Sequence, residues 1–397
     1  MRLLRIGLFT DVYFPSKNGV STSVYLLWRE LRKMGHEAWI IAPEWPGTES
    51  EEGIVRVQSV PYPFFEDYRL GLPNARLLPT RFEVVHSHVP FTLGLWALSL
   101  AQRWRVPHVS TFHTHYEKYA HYVPGLAFLD RHTHIIPRLA RAFYNRVDLV
   151  ITPTHPVKEL VERYRIERPV RIIPTGIDLE LLASAPRPDP CPWPEGRRRV
   201  LTVSRLGKEK SLDVAMEAFA RVAEEQDAHW AIVGEGPEEE SLKSLAAELG
   251  VADRVTFTGA VPYQEIGGYY RTAEVFLFAS ETETQGLVLW EAQAMGLPVV
   301  AVAAGGVIES VVEGVGGRLV PPGDAEALAE RLARLLEDPD ERARLSQGAR
   351  RFAERRSAKR IAEEMVGAYL EAEAIARSEP KKLHFSFPKL KSQNKRL

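Results

Sequence analysis

The sequence predicts an α/β protein with two doubly wound parallel sheets, one in each half of the chain. Short apolar runs alternate with loops and helical stretches, the β-loop-α-β rhythm of a parallel sheet. The rhythm starts afresh at Val200, after ASAPRPDPCPWPEG, where five prolines stand at alternate positions from Pro186 to Pro194. Such a stretch reads as a stiff, extended linker. At 397 residues with 45% hydrophobic content, the chain is long enough for two cores. The expected division is a first domain at 1–182, a linker at 183–196 and a second domain at 197–355. A helix at 356–376 is expected to return to the first domain, ahead of a basic tail at 377–397.

In the first half, Leu4 to Thr10 is a strand, Asp11 to Gly19 a loop, Ser21 to Met34 a helix and Glu37 to Ala42 the next strand. Asn18-Gly19 ahead of a Ser/Thr-capped helix gives a tight backbone with exposed N–H groups; an ordinary capped turn is the alternative. The loop lacks G-x-G-x-x-G, which argues against a dinucleotide site at this turn. Val84 to His86 is a strand ending in SHVPFTLG, and helix Leu93 to Arg103 follows. Pro107 to Phe112 is a strand with His113 at its carboxyl end, inside FHTHYEKYAHYVP. Open α/β sheets bind ligands beyond their carboxyl ends, so His113 stands at the expected mouth. There its imidazole can hydrogen-bond a sugar hydroxyl without acting as a base; a purely structural histidine is the alternative. Val147 to Thr152 and Val170 to Ile173 are further strands, the second ending in PTGIDLE.

Lys118 to Arg146 holds five Lys/Arg residues and one acid, Asp130, with aromatic and apolar residues interleaved. In a continuous helix Arg131, His134, Arg138 and Arg141 share one face, and Ile135, Leu139 and Phe143 another; Pro137 starts a new helix or kinks one. With Arg146, this segment can lie on an anionic membrane surface; a solvated basic helix is the alternative.

In the second half, strand Val200 to Val203 ends in SRLGKEKSLD. Arg205 and Lys210 lie just beyond it and can balance a diphosphate, one as a fork and one as a point charge. Helix Asp213 to Gln226 and strand His229 to Val233 lead to GEGPEEE. There Gly234 and Gly236 permit close backbone approach, and Glu239 stands where a third dinucleotide-type glycine would be. Strand Val255 to Thr258, GAVPYQEI, helix Gln264 to Thr272 and strand Val275 to Ala279 follow.

The chain's organising stretch is SETETQGLVLWEAQAMGLPVV, Ser280 to Val300, a loop, a helix and a helix stop before the next strand. Glu283 lies in the loop and Glu291 inside the helix. The N–H groups around Gly286, Leu287 and Val288 can cradle an anion such as a diphosphate. Glu283 can address sugar hydroxyls, and Glu291 the vicinal hydroxyls of a ribose. A helix cap and a solvated carboxylate are the plainer alternatives. After Pro321-Pro322-Gly323 the chain is rich in helix formers, and Lys381 to Leu397 carries six Lys/Arg and no acid.

Composition removes several function classes. A formal net charge of −1 gives no bias toward nucleic acid. The single cysteine, Cys191, offers neither a disulfide nor a metal cluster. MRLLRIGLFTD reaches an acidic residue too soon for a signal peptide, and no apolar run approaches a membrane span. The expected location is cytoplasmic, with any membrane contact peripheral.

Taken together, FTDVYFPSKNGVSTSV, FHTHYEKYAHYVP, PTGID, SRLGKEKSLD, VGEGP, FTGAVP and ETQGLVLWEAQAMGLPVVA resemble the retaining glycosyltransferases of family 4, which have the GT-B fold of two Rossmann-like domains. The resemblance implies that Glu283 and Glu291 face a sugar nucleotide, with His113 near the donor sugar. It implies that Arg205, Lys210, Gly19 and the amides of Gly286, Leu287 and Val288 hold the diphosphate, and that the base lies against Gly259, Ala260 and Val261. Within the family, THYEKYAHYVP and SETETQGLV look most like bacterial 1,2-diacylglycerol glucosyltransferases. That likeness implies UDP-glucose as donor, a membrane lipid hydroxyl as acceptor, no metal or other cofactor, and docking on the inner face of the cell membrane. Ser211 departs from the glycine that commonly follows the lysine; Gln285-Gly286 replaces a common Phe-Gly, as in the glycolipid branch. The same chemistry on a soluble sugar, a phosphoinositide or a carotenoid alcohol is the second reading. A sugar-nucleotide epimerase or nicotinamide-dependent oxidoreductase is the third, and the missing glycine fingerprints argue against the oxidoreductase.

Overall fold

The computed structural model describes residues 2–16, 18–49, 51–62, 68–117 and 125–378. Its first half holds β1 (Arg5–Phe9), β2 (Glu37–Pro43), β3 (Ile54–Val57), a short antiparallel pair β4 (Ser59–Pro61) and β5 (Arg69–Gly71), then β6 (Val84–Ser87), β7 (His108–Thr111), β8 (Leu149–Thr152) and β9 (Val170–Ile172). All but the short pair form a seven-stranded sheet in the order β3-β2-β1-β6-β7-β8-β9. Each neighbouring pair is parallel. The helices are α1 (Gly19–Lys33), α2 (Thr92–Trp104), α3 (Leu126–Thr133), α4 (Ile135–Tyr144), α5 (His155–Arg163) and α6 (Leu179–Ser184).

The second half holds β10 (Arg198–Val203), β11 (Ala228–Val233), β12 (Val255–Gly259), β13 (Val275–Phe278), β14 (Val299–Val302) and β15 (Gly317–Val320). They form a six-stranded parallel sheet in the order β12-β11-β10-β13-β14-β15. Its helices are α7 (Leu212–Glu225), α8 (Glu239–Glu248), α9 (Tyr263–Thr272), α10 (Leu287–Ala294), α11 (Val307–Ser310), α12 (Ala325–Glu337) and α13 (Pro339–Ala353), and α14 (Ala358–Ser378) closes the described chain.

Both sheets are covered on both faces, which is why their strands read as apolar runs rather than as alternations. In the first half Ile6 and Leu8 face α1 and α14, through Val24, Leu31, Met365 and Tyr369. Phe9 and Val85 face α2, through Leu93, Trp96 and Ala97. In the second half Trp230 and Leu277 pack with α7 and α12, and Phe276 and Ala301 with α9 and α10.

Three local readings are corrected. The cap of α1 is Asn18, whose side chain accepts from the amides of Val20 and Ser21 at 3.0 and 3.1 Å, so Ser21 lies inside the helix. The basic segment breaks at His134 (φ 51°) rather than at Pro137, which sits in the first turn of α4, where its missing N–H costs no bond. Arg131 is therefore on α3 and Arg138 and Arg141 on α4, not on one continuous face. The Pro-rich stretch is no free spacer. Leu182 and Trp193 are buried in the second core, and Arg271 of α9 donates to the carbonyls of Leu182, Ala183 and Ala185. The chain crosses between the halves earlier, near Ile177. There it meets its own return: the Ile177 amide donates to Arg356 O at 2.9 Å and the Ala358 amide to Ile177 O at 3.0 Å. Lys118 to Pro124 and the tail Lys381 to Leu397 lie outside the described residues.

Candidate active site

The carboxyl ends of the two sheets face each other, and the loop Ser280–Gly286 lies between them. Its backbone is shaped from below by the loop after β14. The Gly306 amide donates to Glu283 O at 2.8 Å. A Cβ on Gly306 would run into the carbonyl of Thr284, and one on Gly305 would come 2.6 Å from Glu283 O. The loop after β10 is tied on from the side, since the hydroxyls of Ser280 and Thr282 both donate to Glu209 O at 3.2 Å.

These supports bring Glu283 against Lys210. Lys210 Nζ lies 2.5 Å from Glu283 Oε1, and the two side chains are 17% and 15% exposed. Arg205 leans on Glu209 at 3.5 Å, with its own side chain 41% exposed. Gly286 (φ 73°) then turns the chain into α10, which has no side-chain cap. Glu283 is thus the lysine's partner and not the helix cap. The opening of α10 meets the opening of α1, where a Cβ on Gly19 would stand 3.6 Å from Leu287 Cδ1. The openings of α1 and α10 meet here beside the Lys210–Glu283 pair, and helix N-termini favour an anion.

His113 is half-buried, and its carbonyl accepts from the Thr284 hydroxyl at 2.8 Å. Burial lowers its imidazole pKa to about 4, so the ring is neutral near pH 7. Glu291, expected to face a ribose, is not the solvated carboxylate of the plainer alternative. It is buried, and its Oε2 accepts from the Tyr270 hydroxyl at 2.9 Å. Burial raises its pKa, against the lowering effect of hydrogen bonds from Tyr270 and Tyr263. Gly259 ends β12 with φ 73° and open space where a Cβ would be, next to Ala260 and Val261. Gly234 and Gly236 make their close approach to the backbone of Ser204 and Leu206. Arg138, Arg141 and Arg146 are exposed beside the exposed Leu139.

Residues 17–181 match the family model described as Glycosyltransferase Family 4, and residues 188–352 the one described as Glycosyl transferases group 1. The chain is 35% identical over 317 residues to the alpha-monoglucosyldiacylglycerol synthase of Streptococcus pneumoniae, covering 75% of this chain and 71% of that one. It belongs to glycosyltransferase family 4. A second family 4 relative, the GDP-mannose-dependent alpha-mannosyltransferase of Mycobacterium tuberculosis, is 31% identical over 388 residues, 92% of this chain and 96% of its own. The sucrose-phosphate synthase of Thermosynechococcus elongatus has the same GT-B fold, with a TM-score of 0.77 over 93% of this chain and 99% of that one at 24% identity. The protein is accordingly a glycosyltransferase of the hexosyl-transferring kind.

Several supports of this glycosyltransferase site escaped the sequence reading. Gln285 locks the loop to the first half: its Oε1 accepts from the Thr175 amide at 2.7 Å and its Nε2 donates to Thr175 O at 3.1 Å. The Thr154 hydroxyl donates to Thr284 O at 2.8 Å. Gln285-Gly286 was visible as a motif, but nothing in it announces a partner 110 residues away. Tyr270 and His88 carry no signal beyond their place in an apolar helix and after a strand.

Proposed function

We propose that this enzyme transfers glucose, with retention, from UDP-glucose to the free hydroxyl of diacylglycerol at an anionic membrane surface. The lipid reading is carried by the surface of α3 and α4. Phe128, Leu129 and Leu139 are 71%, 48% and 63% exposed there, amid the exposed Arg131, Arg138, Arg141 and Arg146. Apolar side chains that enter the acyl boundary, ringed by arginines that meet anionic headgroups, suit a helix lying in an interface. No helix among the described residues is long and apolar enough to cross a membrane. The name of the Streptococcus pneumoniae relative supports glucose and diacylglycerol.

In the reaction, departure of the diphosphate builds negative charge. In this scheme Lys210, Arg205, the Gly19 amide and the amides opening α10 take that charge, so it requires no metal ion. Glu283 orients the donor sugar, and the neutral His113 hydrogen-bonds one of its hydroxyls. Glu291, held by Tyr270, addresses the ribose, and Gly259 to Val261 flank the base. With a leaving group and nucleophile on the same face, the departing phosphate accepts the proton of the acceptor hydroxyl.

The test is radiolabelled UDP-glucose with diacylglycerol in mixed micelles, with and without phosphatidylglycerol. A labelled glycolipid on a thin-layer plate, more abundant with the anionic lipid and undiminished by EDTA, is the expected result. Label recovered only as free glucose would overturn the lipid acceptor. The longer match to the Mycobacterium tuberculosis mannosyltransferase favours a second reading, GDP-mannose as donor, so GDP-mannose forms the parallel arm.

A further inference from the structure

Three histidines stand in a row beneath the cleft. The rings of His86 and His88 have centroids 4.1 Å apart, and those of His88 and His113 lie 5.2 Å apart, nearly parallel at 23°. His86 is fixed at both nitrogens, with the Tyr369 hydroxyl of α14 2.9 Å from Nδ1 and the Thr111 hydroxyl 2.7 Å from Nε2. The His88 backbone is fixed too, its amide donating to Phe9 O at 2.9 Å. His88 is 1% exposed, and its Nδ1 lies 2.9 Å from His113 Nε2. Its own Nε2 is buried with no hydrogen-bond partner among the described residues. His88 and His113 border a cavity of about 20 Å³ whose wall includes Ser23, Thr175 and Met365. That is room for about one water molecule.

We propose that His88 is a positioning residue for glycosyl transfer: it grips His113 at Nε2 and leaves Nδ1 as the nitrogen offered to the donor sugar. The inference rests on the reading of His113 as a sugar-facing group. A neutral imidazole has one donor nitrogen and one acceptor nitrogen. A hydrogen bond between two such rings uses one of each, so the outer nitrogens are coupled. If His113 Nδ1 carries a proton, His88 Nε2 does not, and the reverse. Burial keeps His86, His88 and His113 neutral, which preserves this either-or arrangement. The cavity beside His88 therefore helps decide whether His113 presents a donor or an acceptor to the sugar. The site is set from behind by a residue that never touches substrate.

The test compares His88→Leu with His88→Asn. Both remove the ring packed against His86, but asparagine keeps a polar atom near the position of Nδ1. His88→Leu should lower kcat about tenfold, the worth of one hydrogen bond, with the calorimetric Kd for UDP unchanged within about twofold. His88→Asn should recover most of that loss. Equal turnover in the two variants overturns the proposal, as does a parallel loss of UDP binding. His113→Ala is measured beside them: if it transfers normally, the reading of His113 itself fails; if it is impaired while His88→Leu is not, only the role of His88 fails. Should His88→Leu not fold, nitrogen-15 NMR of histidine-labelled wild-type protein decides. A single neutral tautomer of His113 supports the grip, and a mixture of two overturns it.

Discussion

Glu283→Gln should tighten UDP binding while slowing transfer. The ammonium of Lys210 has an anion of its own, Glu283 Oε1 at 2.5 Å, in a site where both side chains are less than a fifth exposed. A diphosphate that recruits Lys210 must draw it from that carboxylate. A hydrogen bond between charged groups contributes about 1.5–3 kcal/mol net, and one to a neutral amide about 0.5–1.5 kcal/mol. The difference, about 1.4 kcal/mol, is about a tenfold gain in UDP affinity. Glutamine fills the same volume, so the loop held by Gly306 and Gln285 should persist. Turnover should fall by about two orders of magnitude, as when one oriented polar group is lost from a charge-stabilising site. Calorimetric titration of UDP at low salt gives the affinity, and release from labelled UDP-glucose gives the turnover. UDP binding weakened tenfold would refute the reasoning, because Glu283 would then be holding Lys210 in place for the nucleotide rather than competing with it.

Other expectations follow from the supports of the site. Gly306→Ala drives a methyl group into the Thr284 carbonyl and should cut kcat/KM about tenfold through the displaced Glu283, whereas Gly367→Ala, with open space inside α14, should raise stability by about 0.5–1 kcal/mol; kinetics and melting curves check both. Acid should unfold the protein by a route legible in its buried groups. His86 and His113, lowered to about 3 and about 4 from 6.5, bind more protons unfolded than folded, so their contribution is present above pH 6.5 and is lost as pH falls. Asp11, raised to about 6 from 3.8 by burial, opposes them between those values. His88 is lowered by burial as well and Glu291 is raised, so three histidines stand against two carboxyls and a net of about one proton leaves about 1.4 kcal/mol lost per pH unit from 6 to 4, measurable as a falling urea midpoint; a flat midpoint would contradict it. Finally, Arg138→Glu with Arg141→Glu should abolish cosedimentation with phosphatidylglycerol vesicles, at about 1 kcal/mol for each basic residue at the surface, and leave UDP binding unchanged.

The sheets were legible because parallel strands buried on both faces must be apolar throughout, as at Val275–Phe278 and Val299–Val302. The site was legible where chemistry sits just past those strands: Lys210 after β10 and Glu283 after β13. Their pairing was not, because it depends on two loops being pulled together by Ser280, Thr282 and Gly306. Glu291 shows the opposite case. Its spacing from Glu283 is plain in the sequence, but its burial under Tyr270 follows from how α9 packs on α10. The Pro-rich stretch looked like a spacer because composition reports stiffness, not neighbours. Its neighbours come from elsewhere in the chain: Trp193 sinks into the core of the second half, and Arg271 of α9 holds the carbonyls of Ala183 and Ala185.

The chain passes between its halves twice, and the two passages touch. Ile177 and Ser357 are bridged side by side as in a miniature parallel sheet, and Gly176 lies so close to Ala358 that a Cβ there would come 2.5 Å from its Cα. Two cords running separately would let the halves slide, twist and swing. Two cords pinned together at a single knot act as a door pin: sliding is stopped, and rotation about the knot is the motion that stretches nothing. An opening of the cleft would therefore be a rotation about that knot rather than a slide, and closing it would bring Lys210, Glu283 and His113 back to the same register.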